Sequence, residues 1–329
     1  MSRFLATLLL LAALLGGAWF WERWNFDAPG PVARNGARET IVEIAPREVL
    51  WSIANRLRNA GTIQSSVLFD LGVRLRRESA LLKAGEYAIP SGLSMNQLAA
   101  TLVAGRSIEH KLTAAEGLTS RMIADIVNRD PKLAGPAQPT PAEGTLLPET
   151  YLFTKGTPRS SLVAKMHAAQ ARFVARAWAA RATGLPFDTP NDAVTLASIV
   201  EKETAIPEER RHIAAVFINR LRLGMKLESD PTVIYGISKG YPLGHGIRAS
   251  ELETVTPYNT YAVAGLPPTP ICDPGKDSIA AVLHPGDSVD LYFVANGTGG
   301  HAFAASKSEQ DRNVARWRQI ESVLGSPKK

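Results

Sequence analysis

From Phe4 to Trp21 the chain carries no charged residue, and most positions are Leu, Ala or aromatic. A run of this length predicts one helix across a bilayer. Trp19, Phe20, Trp21 and Trp24 crowd its far end, where interfacial rings sit. Arg3 before the run predicts a cytoplasmic amino terminus, with the remainder outside. A cleaved signal peptide ending at Gly16-Gly17-Ala18 is the competing reading, and either one exports the body of the chain.

Residues 25–39 read as a linker, with Pro29-Gly30-Pro31 and Gly36 inside it. Alternation then predicts a strand over Thr40 to Ile44. Val49, Ile53 and Leu57 recur at helical spacing, Ser65 to Arg76 reads as a second helix, and Gly85 to Ile89 as a second strand before Pro90. Strand–helix–helix–strand in this order looks like a LysM-type carbohydrate-binding module, so residues 40–140 are expected to form a small LysM-like α+β region. A spacer without a ligand fits the same order. Ser94 to Leu102 adds a helix, and Lys111 to Ile126 a further strand and helix. Pro131, Pro136, Pro139 and Pro141 then mark a boundary.

Residues 141–329 are mostly helical in pattern, with helices expected over Ser161 to Ala182, Asp192 to Glu203 and Pro207 to Arg222. Pro207 suits a first helical position, Glu208 and Glu209 the first turn, and Gly224 the stop. Leu291 to Val294 and His301 to Phe303 flank a Gly-rich turn and predict a hairpin, before a last helix over Ser308 to Leu324. The whole is expected to be α+β.

Composition narrows the chemistry. The 37 Lys and Arg exceed the 31 Asp and Glu, for a net charge of +6. That suits an acidic polymer or a membrane surface, but no basic stripe with interleaved aromatics points to nucleic acid. The one cysteine, Cys272, rules out an intrachain disulfide and a thiolate zinc site. The six histidines show no zinc-hydrolase spacing, and no Gly-x-Ser-x-Gly, Walker or Gly-x-Gly-x-x-Gly run occurs. No metal or organic cofactor is expected.

The segment Asp192 to Glu203 contains the most informative residue. With Leu196 set at zero and about 100° per residue, Ala193, Ile199 and Val200 fall within about 60° of it, and Glu203 lies near −20°. Glu203 therefore stands in the middle of the apolar face, whereas Glu201 lies on the polar side. A carboxyl forced against apolar neighbours holds its proton to higher pH and suits general acid catalysis. The alternative is that the helix ends near Thr204 and Glu203 escapes to solvent or pairs with Arg210 or Arg211. Downstream, Asn219, Glu228, Ser229, Asp230, Tyr235, Tyr258, Asn259, Thr260 and Tyr261 mix rings with amide and carboxyl groups, as a sugar site requires. Asp230-Pro231 and Pro257-Tyr258-Asn259 are equally turn formers.

Together these segments resemble the MltG-type (YceG-like) endolytic murein transglycosylases. The resemblance rests on Glu143-Gly-Thr-Leu-Leu-Pro-Glu-Thr-Tyr151, Ala197-Ser-Ile-Val-Glu-Lys-Glu-Thr204, Val216-Phe-Ile-Asn-Arg-Leu-Arg222 and Leu227-Glu-Ser-Asp-Pro-Thr-Val-Ile-Tyr235. It continues through Thr256-Pro-Tyr-Asn-Thr-Tyr261, Gly265-Leu-Pro-Pro268 and Tyr292-Phe-Val-Ala295. It departs from the usual pattern at Leu147, Glu149 and Glu228. The resemblance implies cleavage of the β-1,4 bond between N-acetylmuramic acid and N-acetylglucosamine in nascent glycan strands, leaving a 1,6-anhydro end. It places the catalytic glutamate at Glu203, acting first as acid and then as base. Glu143, Tyr151, Glu201, Asn219, Asp230, Tyr235, Tyr258, Asn259 and Tyr261 are the expected substrate-binding residues. Peptidoglycan strands and penicillin-binding synthases are the implied partners. The implied location is the inner membrane, with the catalytic domain periplasmic. A non-catalytic glycan-binding scaffold and a hydrolytic muramidase are the rival functions.

Overall fold

A 26-residue helix, α1 (Ser2–Asp27), opens the chain. The computed structural model describes residues 2–33 and 36–324, without the side chains of residues 2, 3, 6, 323 and 324. The chain forms two compact units, Met1–His110 with Leu152–Thr157, and Lys111–Tyr151 with Pro158–Lys329.

In the first unit α1 is followed by β1 (Glu39–Ile44), α2 (Leu50–Asn59), α3 (Ser66–Leu75), β2 (Gly85–Pro90) and α4 (Met95–Ala104). The expected strand–helix–helix–strand order is present, and β1 and β2 pair antiparallel with Val42 opposite Tyr87. Alternation turns Val42, Ile44, Tyr87 and Ile89 inward, where they meet Ile53, Leu57, Phe69, Leu98 and Leu102. A capping box between Ser94 and Gln97 starts α4, and Gly105, left-handed at φ 72°, ends it.

The expectations for residues 1–39 need correction. Among the described residues no helix is long and apolar enough to cross a membrane. Arg3, on which the orientation rested, lies outside the described side chains. The helix also continues into the expected linker. Phe26 is fully buried and stacks on Phe69 at 6.2 Å, while Glu22 accepts from Arg76 at 3.2 Å. Gly72 on α3 makes room for this, because a Cβ there would lie 2.3 Å from the Phe26 ring. The following residues are pinned as well, with Gly30 N–H donating to Gly92 O and Gly92 N–H to Pro31 O, at 3.1 and 3.0 Å. Arg34 and Asn35 of the expected linker lie outside the described residues.

Next come β3 (Glu109–Thr113), α5 (Ser120–Arg129), β4 (Thr150–Thr154) and α6 (Arg159–Ala179). Strands β3 and β4 form a two-stranded sheet. The chain continues as α7 (Pro190–Glu203), α8 (Pro207–Arg222), α9 (Asp230–Ser238), α10 (Ala249–Glu253) and α11 (Lys276–Leu283). It closes with β5 (Tyr292–Ala295), β6 (His301–Ala304) and α12 (Lys307–Leu324), β5 and β6 being the expected antiparallel hairpin. The fold is thus α+β, with helices and small sheets.

The core of the second unit gathers Leu196, Ile199 and Val200 of α7, Ile213 and Phe217 of α8, and Ile279 and Val282 of α11. Helix α7 is buried from Ala193 to Val200 on every face, rather than along the single stripe that periodicity predicts. Neighbouring α6, α8, α9 and α11 enclose it. The Pro-rich stretch expected as a boundary lies inside this unit. It is held there by the Asn128 side chain, which donates to Gln138 O at 3.0 Å and accepts from its N–H at 2.8 Å.

Candidate active site

Helix α7 starts with a capping box between Thr189 and Asp192, with Pro190 in its first turn, and it ends at Glu203 because Thr204 turns to extended backbone. Glu203 is therefore the last residue of a helix whose preceding turns are wholly buried. The residue keeps some surface, but protein atoms crowd its carboxyl group. That desolvation pushes its pKa up to about 7, against a lowering by the Ser229 hydrogen bond, a raising by Asp230 and a lowering by Arg220. The negative end of the α7 dipole acts in the raising direction too. The helix does end beside Thr204, as the alternative reading had it, but Glu203 pairs with neither arginine: Arg210 pairs with Asp277 at 3.4 Å, and Arg211 donates to His284 O at 2.8 Å.

The partner of Glu203 is Ser229, whose hydroxyl donates to Oε1 at 2.5 Å. Ser229 is held by a knot of buried hydroxyls. Its N–H donates to Thr260 Oγ1 at 3.0 Å, its carbonyl accepts from the Thr232 hydroxyl at 2.6 Å, and Thr232 and Thr260 are 2.9 Å apart. Asp230, next in the chain, accepts from the Tyr261 hydroxyl at 2.7 Å. Arg220 braces the loop from below, donating to Lys226 O, Leu227 O and Glu228 Oε2, each at 3.0 Å.

A second acidic cluster lies in the same unit. Glu143 accepts from Ser120 N–H at 2.6 Å and from the Tyr235 hydroxyl at 3.0 Å. Asp273, fully buried, accepts from the Ser120 hydroxyl at 2.7 Å and from Leu146 N–H at 2.8 Å. Burial raises both carboxyls, Asp273 to about 7. Tyr258 lies 4.9 Å from Tyr235 between ring centroids, and the Lys239 ammonium sits over both rings.

With this geometry in place, a model of the YceG-like family matches residues 42–316. The chain belongs to the YceG-like family. An endolytic murein transglycosylase of Streptococcus pneumoniae serotype 2 (strain D39) is 29% identical over 94% of this chain. The chain spans 64% of that relative's length. An endolytic murein transglycosylase of Bacillus subtilis (strain 168) is 26% identical, over 94% of this chain and 92% of its own. A crystal structure of a YceG-like protein from Listeria monocytogenes, 28% identical, superposes with a TM-score of 0.51 over 83% of this chain and 98% of the other.

Within this YceG-like chain the expected site residues fall into three groups. Glu203, Asp230 and Tyr261 come together around Ser229. Glu143, Tyr235 and Tyr258 gather in the second cluster. The others are committed to the scaffold. Glu201 accepts from Gly275 N–H at 3.0 Å and Ser278 hydroxyl at 2.6 Å, so it caps α11 instead of standing in solvent. The Asn219 amide donates to Ser288 O at 2.8 Å and Asp290 O at 3.1 Å. The Asn259 amide donates to Leu252 O and Thr254 O, at 2.8 and 2.7 Å, and the Tyr151 hydroxyl to Leu147 O at 2.7 Å. Sequence reasoning placed Ser229 only among neighbours of the site, and passed over Asp273. The signal for Ser229 was its position before Asp-Pro, where a helix can start. Asp273 carried none, because a lone acid in a loop has no pattern.

Proposed function

We propose that this chain cleaves the β-1,4 bond between N-acetylmuramic acid and N-acetylglucosamine in murein glycan strands, as a lytic transglycosylase. The carrying observation is Glu203, a carboxyl with a pKa near 7. Such a group is populated both as acid and as base near neutrality. Protonated Glu203 gives its proton to the glycosidic oxygen as the bond to the anomeric carbon breaks. The muramic C6 hydroxyl attacks that carbon, and its proton returns to Glu203. The internal nucleophile replaces water, the products are a free hydroxyl and a 1,6-anhydro end, and one carboxyl suffices where most glycosidases use two. Membership of the YceG-like family and relatives named endolytic murein transglycosylases support the same reading.

The test is mass spectrometry of glycan strands incubated with the full-length chain, beside its Glu203→Gln form. Anhydro ends from the unsubstituted chain, reduced at least about a thousandfold by the substitution, are expected. Reducing ends would indicate a water-using muramidase. Binding without cleavage by either chain would indicate a scaffold.

A further inference from the structure

Ser229 occupies the N-cap position of α9 with extended backbone, and serine there ordinarily accepts a hydrogen bond from the first turn. Here its side chain makes no capping bond. Forgoing the cap leaves a donor of the first turn without that acceptor, and Pro231, lacking an N–H, removes one of the donors otherwise left unsatisfied. The hydroxyl donates to Glu203 Oε1 instead. Glu228, just before it, adopts left-handed backbone at φ 53°, a strained state for a side chain with a Cβ. Strain and a missing cap at adjacent positions are both explained if aiming this hydroxyl is what the loop is built to do.

The two oxygens of Glu203 are consequently unlike. Oε1 is taken by Ser229, whereas Oε2 has no protein hydrogen bond among the described residues and is not among the sealed, unsatisfied polar atoms. We infer that Ser229 is a positioning residue that assigns the oxygens of Glu203 different tasks: Oε1 is held, and Oε2 gives and takes back the proton. The inference rests on the proposed acid–base role of Glu203. In the forward step the Oε2–H bond breaks as the proton goes to the leaving oxygen. In the return step the C6 hydroxyl proton reforms it, so Ser229 keeps its own proton throughout. Its short O–H···O bond is strongest to the anion, and so stabilises Glu203 between the steps.

The charged and titratable groups facing Glu203 are Asp230 from the first turn of α9, Arg220 from α8, and Tyr261 beyond it. They set opposite expectations for two variants. Ser229→Ala removes a donor that favours the carboxylate, so the pH at which Glu203 loses its proton rises. Asp230→Asn removes a repelling charge, so that pH falls. The experiment reads two quantities on the full-length chain: kcat/KM against pH, and titration of the Glu203 carboxyl by NMR with 13C-labelled glutamate, the resonance identified by its loss in Glu203→Gln. Ser229→Ala is expected to cut kcat about ten- to hundredfold and to move the alkaline limb and the titration up by roughly one pH unit. Ser229→Thr, which keeps the hydroxyl, restores both. Asp230→Asn moves both down. A Ser229→Ala chain titrating like the unsubstituted chain, or Ser229→Thr no better than Ser229→Ala, overturns the inference. If the alanine chain does not fold, Ser229→Cys, a weaker donor, is read for the same upward move, and no move overturns the inference. Absence of anhydro ends from the unsubstituted chain would sink the proposed function, while the titration still decides the role of Ser229.

Discussion

Two glutamates one turn-fraction apart in Glu201-Lys202-Glu203 have different physical lives. Glu203 ends its helix crowded by protein, and its proton is held to about pH 7. Glu201 meets the first turn of α11, where it accepts hydrogen bonds from Gly275 N–H and the Ser278 hydroxyl. Glu201→Gln should therefore lower stability by about 1–2 kcal/mol and leave the pH dependence of kcat/KM unmoved. Thermal melts and a pH–rate profile on the same preparation check this, and a shifted alkaline limb would contradict it. The wheel argument set these two residues on different sides of a helix that is in fact buried on every face. It placed Glu201 in solvent because a wheel contains no information about the helix that arrives seventy residues later.

At the scale of elements, legibility followed length and punctuation. Helix α8 begins at Pro207, with Glu208 and Glu209 in its first turn and Arg220 and Arg222 in its last, and its limits were readable for those reasons. The hairpin was readable from two short apolar runs around Gly297, Gly299 and Gly300. Helices α9 and α11, of 9 and 8 residues, were not. Asp230-Pro231 reads as a turn by itself and becomes a helix start only once Ser229 is fixed by Thr232 and Thr260. The end of α1 was misjudged for a related reason. Phe26 looks like part of a linker until α3 offers Gly72 as the floor it packs on. Gly72→Ala should push a Cβ into the Phe26 ring and the Glu22 carboxyl, destabilising the first unit by about 1–3 kcal/mol. Hydrogen exchange is expected to rise in α1 from Glu22 onward and in α3, and protection unchanged there would refute the packing argument.

For the molecule as a whole, the raised carboxyls make a statement about stability. Glu203 and Asp273 hold their protons to about pH 7 in the folded chain, and free carboxyls lose theirs near pH 4. Between those values the folded state binds more protons than the unfolded state. Their contribution is therefore complete below about pH 4 and is lost as pH rises through about 7. The melting temperature is expected to fall between about pH 5 and pH 8, and Asp273→Asn to flatten that fall, as read by calorimetry across the range. A melting temperature that is level with pH, or a slope unaffected by the substitution, would count against buried protonated carboxyls.

By itself the sequence determined the elements with strong local signals, the α+β class, and the family, whose motifs are short runs of neighbouring residues. Its helical periodicity also drew attention to Glu203, although the helix that carries it is buried on every face and has no single apolar stripe. Tertiary structure decided the rest. It made Ser229 the partner of Glu203, turned Glu201, Asn219, Asn259 and Tyr151 into scaffold, and joined Asp273 to Ser120. It left no helix among the described residues long and apolar enough to cross a membrane. The physical reason is that hydrogen-bond partners and burial are properties of a place in three dimensions. Residues 26 or 153 positions apart, as Glu203 and Ser229 or Ser120 and Asp273 are, share that place only after the core has closed around α7.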